Sequence, residues 1–167
     1  MLIFLLGMMG SGKTTLGRQL AQQLSYTFVD LDEYIEQREQ KSIAAIFEEL
    51  GEETFRKKER AALEALVQKF PSAVVATGGG APCFFDNIKY MNRHGLTVFL
   101  AVPVSEISHR LLATNLSLRP LLANKSEAEI NLFLAKTLAN RNQFYEQAKY
   151  KLEGSAITVA QIIELLN

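Results

Sequence analysis

Hydrophobic and polar positions follow two rhythms along the chain. Leu2-Ile3-Phe4-Leu5-Leu6 is an unbroken apolar run that stops at Gly7, the pattern of a short strand buried on both faces. From about Thr14 to Leu24 the rhythm changes, with Leu16, Leu20, Ala21 and Leu24 returning at helical spacing. Tyr26 to Val29 predicts a second strand, ending in Asp30-Leu31-Asp32. Helices are predicted over Glu33 to Glu39, over Ser42 to Leu50 with Gly51 as stop, and through Phe70 before Pro71. Ala73 to Thr77 is a buried strand running into Gly78-Gly79-Gly80. Helix Asp86 to Arg93, strand Thr97 to Val102 and a helix from about Ser105 to Thr114 repeat the unit. A loop from Asn115 to Lys125 interrupts this cadence, longer than most connections in compact domains. Ser126 and Glu129 form a capping box for a long helix to about Ala148, and after a short strand Thr158 and Gln161 cap a last helix to Leu166. Strand and helix alternating in this way predict an α/β domain, a parallel sheet covered by helices on both faces.

Composition narrows the reading. With 167 residues, 48% of them hydrophobic, the chain is sized for one domain with a real core. Lys plus Arg and Asp plus Glu balance at 18 each, so no net field draws it to nucleic acid or to an anionic membrane. Any anion site must be local. Cys83 is the single cysteine, which excludes an internal disulfide and fits a reducing compartment. Leu2 to Leu6 is too short for a signal peptide or a membrane span, and a cytoplasmic location is expected.

The chemistry begins where the first strand ends. Gly7-Met8-Met9-Gly10-Ser11-Gly12-Lys13-Thr14 is a full match to G-x-x-x-x-G-K-[ST], placed as required between an apolar run and a helix. Its glycines let successive N–H groups turn toward one anion, Lys13 supplies charge for β and γ phosphates, and the Thr14 hydroxyl suits Mg²⁺. Asp30 and Asp32 follow at i and i+2; on an extended strand both face one side, near the metal and the transferring phosphate, whereas on a helix start Asp32 is a simple cap. Phe55 beside Arg56 offers an aromatic wall and a guanidinium fork for a small carboxylate, with Glu59 sharing the face of Arg56. Lys57, Lys58 and Arg60 read as a solvated, ion-paired face. The triplet Gly78 to Gly80 invites close approach by a ligand or another backbone. Arg119 is the only arginine of the long loop, fixed before Pro120, and Arg141 and Tyr145 lie one turn apart on the long helix. Asn124-Lys125-Ser126-Glu127 only brushes a guanine motif, and His94 and His109 lack companions at metal-ligand spacing.

Taken in order, these residues resemble the shikimate kinases over nearly the whole chain. The matches are the loop Gly7 to Thr15 with Gly17, Asp30-Leu31-Asp32, Ile46-Phe47, Gly51-Glu52-Glu53, Phe55 to Glu59, Gly78 to Gly80, Arg119-Pro120-Leu121-Leu122, and Arg141 with Tyr145. The resemblance implies a P-loop fold like that of the nucleoside monophosphate kinases, with a five-stranded parallel sheet, a substrate-binding excursion near residues 33 to 60 and a lid near 112 to 125. It implies transfer of the ATP γ-phosphate to the 3-hydroxyl of shikimate by a monomer. Gly10, Ser11, Gly12, Lys13, Thr14, Thr15 and Arg119 would hold ATP, and Thr14 and Asp30 the Mg²⁺. Asp32, Arg56, Gly78, Gly79, Gly80 and Arg141 would hold shikimate between the walls Phe47 and Phe55. Lys13, Asp32 and Arg119 would carry the catalysis. Two departures concern the adenine side: Leu112 stands where the family often has an arginine, with Arg110 a half-turn away, and Lys151 to Ser155 lacks the family's Asp-Thr pair. The rival readings are a kinase for another hydroxylated acid such as gluconate, and an ATP-binding regulator without turnover.

Overall fold

The computed structural model describes residues 1–167 except Ser117, Leu118 and Pro120. Five strands, β1 (Leu2–Leu6), β2 (Thr27–Asp30), β3 (Ala73–Ala76), β4 (Gly95–Ala101) and β5 (Tyr150–Glu153), form one parallel sheet in the order β2-β3-β1-β4-β5. Every residue of β1 and β3 is buried. Since successive side chains point to opposite faces, both faces are covered, as the unbroken apolar runs predict.

The helices are α1 (Lys13–Leu24), α2 (Leu31–Glu39), α3 (Ile43–Lys69), α4 (Asn87–His94), α5 (Val104–Leu112), α6 (Glu127–Tyr145) and α7 (Val159–Glu164). Both predicted capping boxes form, at Ser126 with Glu129 and at Thr158 with Gln161. Gly51 does break the helical path, at φ 78° and ψ 170°, but α3 resumes at once and runs on as one long kinked element. Two of the charges read as a solvated face tie elements together instead. Lys58 reaches Glu39 of α2 at 2.7 Å, and Arg60 reaches Asp86 at 2.5 Å and the Asn87 side chain at 2.9 Å. Lys57 stays exposed and pairs with Glu53 one turn back. His94 and His109 lie exposed on helices.

The strand order places the site. From β1 the chain crosses to β2, whereas from β3 it crosses the other way to β4, so these neighbouring strands leave the sheet in opposite directions. Such a switch point opens a crevice at the carboxyl ends of the strands. The loop after β1 is the phosphate-binding motif, and the loop after β3 is the glycine triplet.

Candidate active site

The loop after β1 wraps because three of its glycines take φ values closed to other residues: Gly7 at 144°, Gly10 at 75° and Gly12 at 97°. Gly12 also caps α1 without any side chain accepting from the first turn, which leaves those N–H groups and the positive helix end free for an anion. Lys13 folds back so that its ammonium donates to the carbonyls of Gly7 at 2.6 Å and Met8 at 2.9 Å. The side chain as a whole is half-buried, but its charged tip is enclosed. Burial lowers its pKa to about 8, against the opposing pull of Asp32 and Asp30 and with the help of Arg141.

The two aspartates divide their duties differently from either sequence expectation. β2 ends at Asp30 and α2 begins at Leu31, so the pair does not lie on one extended strand, and Asp30 is the cap. Its Oδ1 accepts from the N–H groups of Asp32 at 3.0 Å and Glu33 at 3.2 Å, while Oδ2 accepts from the Thr14 hydroxyl at 3.4 Å. Asp32 is thereby relieved of capping and sits in the first helical turn with its carboxylate against Gly78. Burial, and next the charge of Asp30, raise its pKa, opposed by Lys13.

The glycine triplet is where three charged side chains converge. A Cβ on Gly78 would lie 3.0 Å from an oxygen of Asp32, one on Gly79 2.6 Å from Arg141 Nη1, and one on Gly80 2.6 Å from Arg56 Nη2. Arg56 packs over the rings of Phe84 at 4.0 Å and Phe55 at 5.1 Å, and the Phe55 ring lies 4.5 Å from that of Phe47. Its Nη1 donates to the fully buried Glu59 at 2.9 Å, whereas its buried Nε has no hydrogen-bond partner. An orphaned guanidinium donor beside a second arginine is the inventory of a carboxylate pocket.

A cavity of about 700 Å³ spans the switch point. Its wall includes all of Gly10 to Thr15, Asp30, Asp32, Gly78, Gly79 and Arg119. Phe47, Phe55, Arg56, Gly80 and Arg141 stand outside that wall and join it through the glycine turn. On the far side Leu111, Thr114 and Ile157 supply apolar and hydroxyl surface. Arg110 is there too, and Leu112 is not. The Arg110 guanidinium donates to Glu106 at 3.0 Å, to the Gly10 carbonyl at 3.1 Å and to the Ser155 carbonyl at 2.6 Å, fastening the phosphate loop to the segment after β5. Of the lid, Leu122 is fully buried, and the Arg119 carbonyl accepts from Leu122 and Ala123 N–H groups at 2.9 Å. The expected role of Pro120 in holding Arg119 extended falls outside the described residues.

Sequence reasoning did not assign Glu59, Phe84 or Arg110 to the site. Glu59 carried a signal in its i, i+3 spacing from Arg56 and Arg110 one in its nearness to Leu112, whereas Phe84 becomes visible only when distant segments meet. Cys83 lies beside the pocket within the fields of Arg141 and Arg56, but burial pushes its thiol up to about 11 and keeps it un-ionised at neutral pH.

Comparison with known proteins agrees with this geometry. The family model described as shikimate kinase matches residues 9–166. A shikimate kinase from Parabacteroides distasonis is 43% identical over 166 residues, covering 99% of this chain and 95% of its own. The crystal structure of shikimate kinase from Bacteroides thetaiotaomicron superposes with a TM-score of 0.93 at 42% identity, covering 99% of this chain and 97% of its own. The Acinetobacter baumannii shikimate kinase, solved in complex with shikimate, gives 0.87 at 34% identity, covering 99% and 92%. Matches of this depth at almost every position lead to one conclusion: the chain belongs to the shikimate kinase family.

Proposed function

We propose that Asp32, Arg56, Arg141 and the turn Gly78 to Gly80 hold shikimate while Gly10 to Thr15 and Arg119 hold ATP, so that these residues carry out the family's phosphoryl transfer to the 3-hydroxyl. The observation that carries the assignment is the turn itself, where each glycine makes room for one charged side chain that a Cβ would displace. Two arginines match the one carboxylate of shikimate, and one aspartate matches its hydroxyls. The Phe47 and Phe55 rings wall the alicyclic body.

Asp32 orients the attacking hydroxyl and takes its proton as the new O–P bond forms. The bond from the γ-phosphorus to the β,γ-bridging oxygen breaks, and ADP leaves with that electron pair. A raised pKa brings Asp32 closer to the proton it receives. Lys13 and Arg119 meet the charge on the transferring group, which is what a loose phosphoryl-transfer transition state requires. Thr14 and Asp30, whose oxygens lie 3.4 Å apart at an exposed position, are the hard donors that would hold Mg²⁺. Among the described residues no group of three or more His, Cys, Asp or Glu side chains gathers around a metal position, in keeping with an ion that arrives with its phosphates. Bound there, Mg²⁺ supplies charge neutralisation of the β and γ phosphates.

The chain acts as one domain with residues 112–125 as lid and 33–60 as the shikimate-binding excursion. It works as a monomer, since both subsites are built from one chain, and in the cytoplasm, where a lone thiol stays reduced. No helix among the described residues is long and apolar enough to cross a membrane. The test is ADP release from ATP and Mg²⁺ with shikimate, beside gluconate and a blank without acceptor. Turnover with shikimate alone is expected. Equal turnover with gluconate would overturn the acceptor assignment, and nucleotide binding without turnover on either acid would favour a regulator.

A further inference from the structure

Tyr145 is fully buried and does not border the cavity, yet its hydroxyl reaches the middle glycine of the turn, where Arg141 also lies. Its hydroxyl donates to the Gly79 carbonyl at 2.6 Å, a short bond for a neutral pair. The place of a Cβ on Gly79 lies 2.6 Å from Arg141 Nη1 and 3.6 Å from the Tyr145 hydroxyl, so guanidinium and phenol converge on this one residue. The hydroxyl also lies 4.0 Å from the thioether sulfur of Met8 in the phosphate loop. Its ring is held 5.0 Å from that of Phe99 on β4, the strand paired with β1. The phenol oxygen thus has its single proton committed to Gly79, beside the Arg141 guanidinium.

That arrangement has a geometric consequence. The Arg141 guanidinium packs into the space a Cβ on Gly79 would need, 2.6 Å from that position, so the place of the turn sets the space left to the guanidinium. Arg141 is a long side chain at the end of α6, and guanidinium rotamer freedom is what such a residue loses on ordering. A buried hydroxyl that fixes the Gly79 carbonyl beside the guanidinium limits this freedom before substrate arrives. Burial keeps the phenol un-ionised, with a pKa pushed up to about 12, so the donor persists throughout the neutral range.

We propose that Tyr145 is a positioning residue that sets Arg141 and the Gly79 turn in register for the acceptor carboxylate, an inference that rests on the placement of shikimate given above. Tyr145→Phe removes one oxygen and keeps the ring, its volume and its stacking. The expected result is a KM for shikimate about tenfold higher, with the KM for ATP unchanged and kcat lowered less than the shikimate KM is raised. Phe99→Leu is the packing control and is expected to lower Tm while leaving the ratio of the two KM values as in the parent. Three results would overturn the proposal: unchanged KM for shikimate in Tyr145→Phe, equal rises in both KM values, or the same selective rise in Phe99→Leu. A Tyr145→Phe protein that fails to fold, read from its circular dichroism, also overturns it, because the hydroxyl would then serve the fold. Arg141→Ala measured alongside separates this from failure of the site itself. If that variant leaves the shikimate KM unchanged, the acceptor pocket is misplaced; if it raises it and Tyr145→Phe does not, only the role of Tyr145 is wrong.

Discussion

Lys13 keeps its charge in an unfavourable place. Burial brings its pKa to about 8 from 10.5, so between those values the unfolded chain binds the proton that the folded apoprotein releases. Apoprotein stability therefore rises with pH through that window. Phosphate oxygens restore the charge, and nucleotide binding above pH 8 is expected to take up a proton and to weaken as pH rises. Titration calorimetry of ATP at pH 8.5 in two buffers of different ionisation heat reads the uptake, and a binding heat independent of buffer would place the lysine charge elsewhere. The arginines divide by role. Arg56→Ala or Arg141→Ala is expected to raise the KM for shikimate far more than that for ATP; equal effects would remove that arginine from the carboxylate pocket. Arg119→Ala is expected to lower kcat by about 10³ or more, by analogy with arginines that meet a transferring phosphoryl group, and an unchanged kcat would exclude it from the reaction. Arg119, Arg56 and Arg141 were legible as candidates from residue type and neighbours. Glu59 shows in the sequence as the i, i+3 neighbour of Arg56, whereas the meeting of Arg141 and Tyr145 at Gly79 required the folded chain.

At the level of elements, apolar periodicity and capping chemistry predicted most strands and helices to within a few residues, but the two helices expected on either side of Gly51 form the single kinked α3, and the 3-10 turn Ala81–Cys83 carries no signal of its own. The informative difference is Asp30. Strand β2 ends two residues earlier than an extended Asp30-Leu31-Asp32 would need, because Asp30 satisfies two N–H groups of α2 with its own side chain and so starts the helix. One carboxylate is left near Thr14 and the other against Gly78, which places the two acids of one motif at different parts of the site. The segment from 112 to 125 is anchored only in part. Leu122 is wholly buried and Leu116 packs partly buried against the core, while Leu121 is 63% exposed. Nucleotide is expected to slow amide exchange of the described residues around Arg119, read by mass spectrometry with and without ATP; exchange indifferent to nucleotide would argue against closure.

For the whole molecule, the parallel sheet with both faces buried makes a rigid frame, and the ligands cross its switch point. Ligand that binds only the folded state stabilises it by about 2.7 kcal/mol at a hundredfold excess over Kd. For a chain of this size that is a rise in Tm of roughly 5–10 °C. ATP and shikimate each are expected to produce such a shift, measured by calorimetry, and a shift with ATP alone would point to an acceptor other than shikimate. By itself the sequence determined the phosphate loop, the α/β cadence and the caps of α6 and α7, because these rest on local backbone demands and on spacing within one element, while the acids and arginines spread along the chain are grouped by the family resemblance. Only the tertiary structure decided that Gly78, Gly79 and Gly80 each receive a different side chain, that Arg110 and not Leu112 borders the cavity, and that Tyr145 grips the acceptor turn. Those contacts join residues tens of positions apart, and a Gly, an Arg or a Tyr in a sequence carries no record of which distant atom the fold will bring within 3 Å of it.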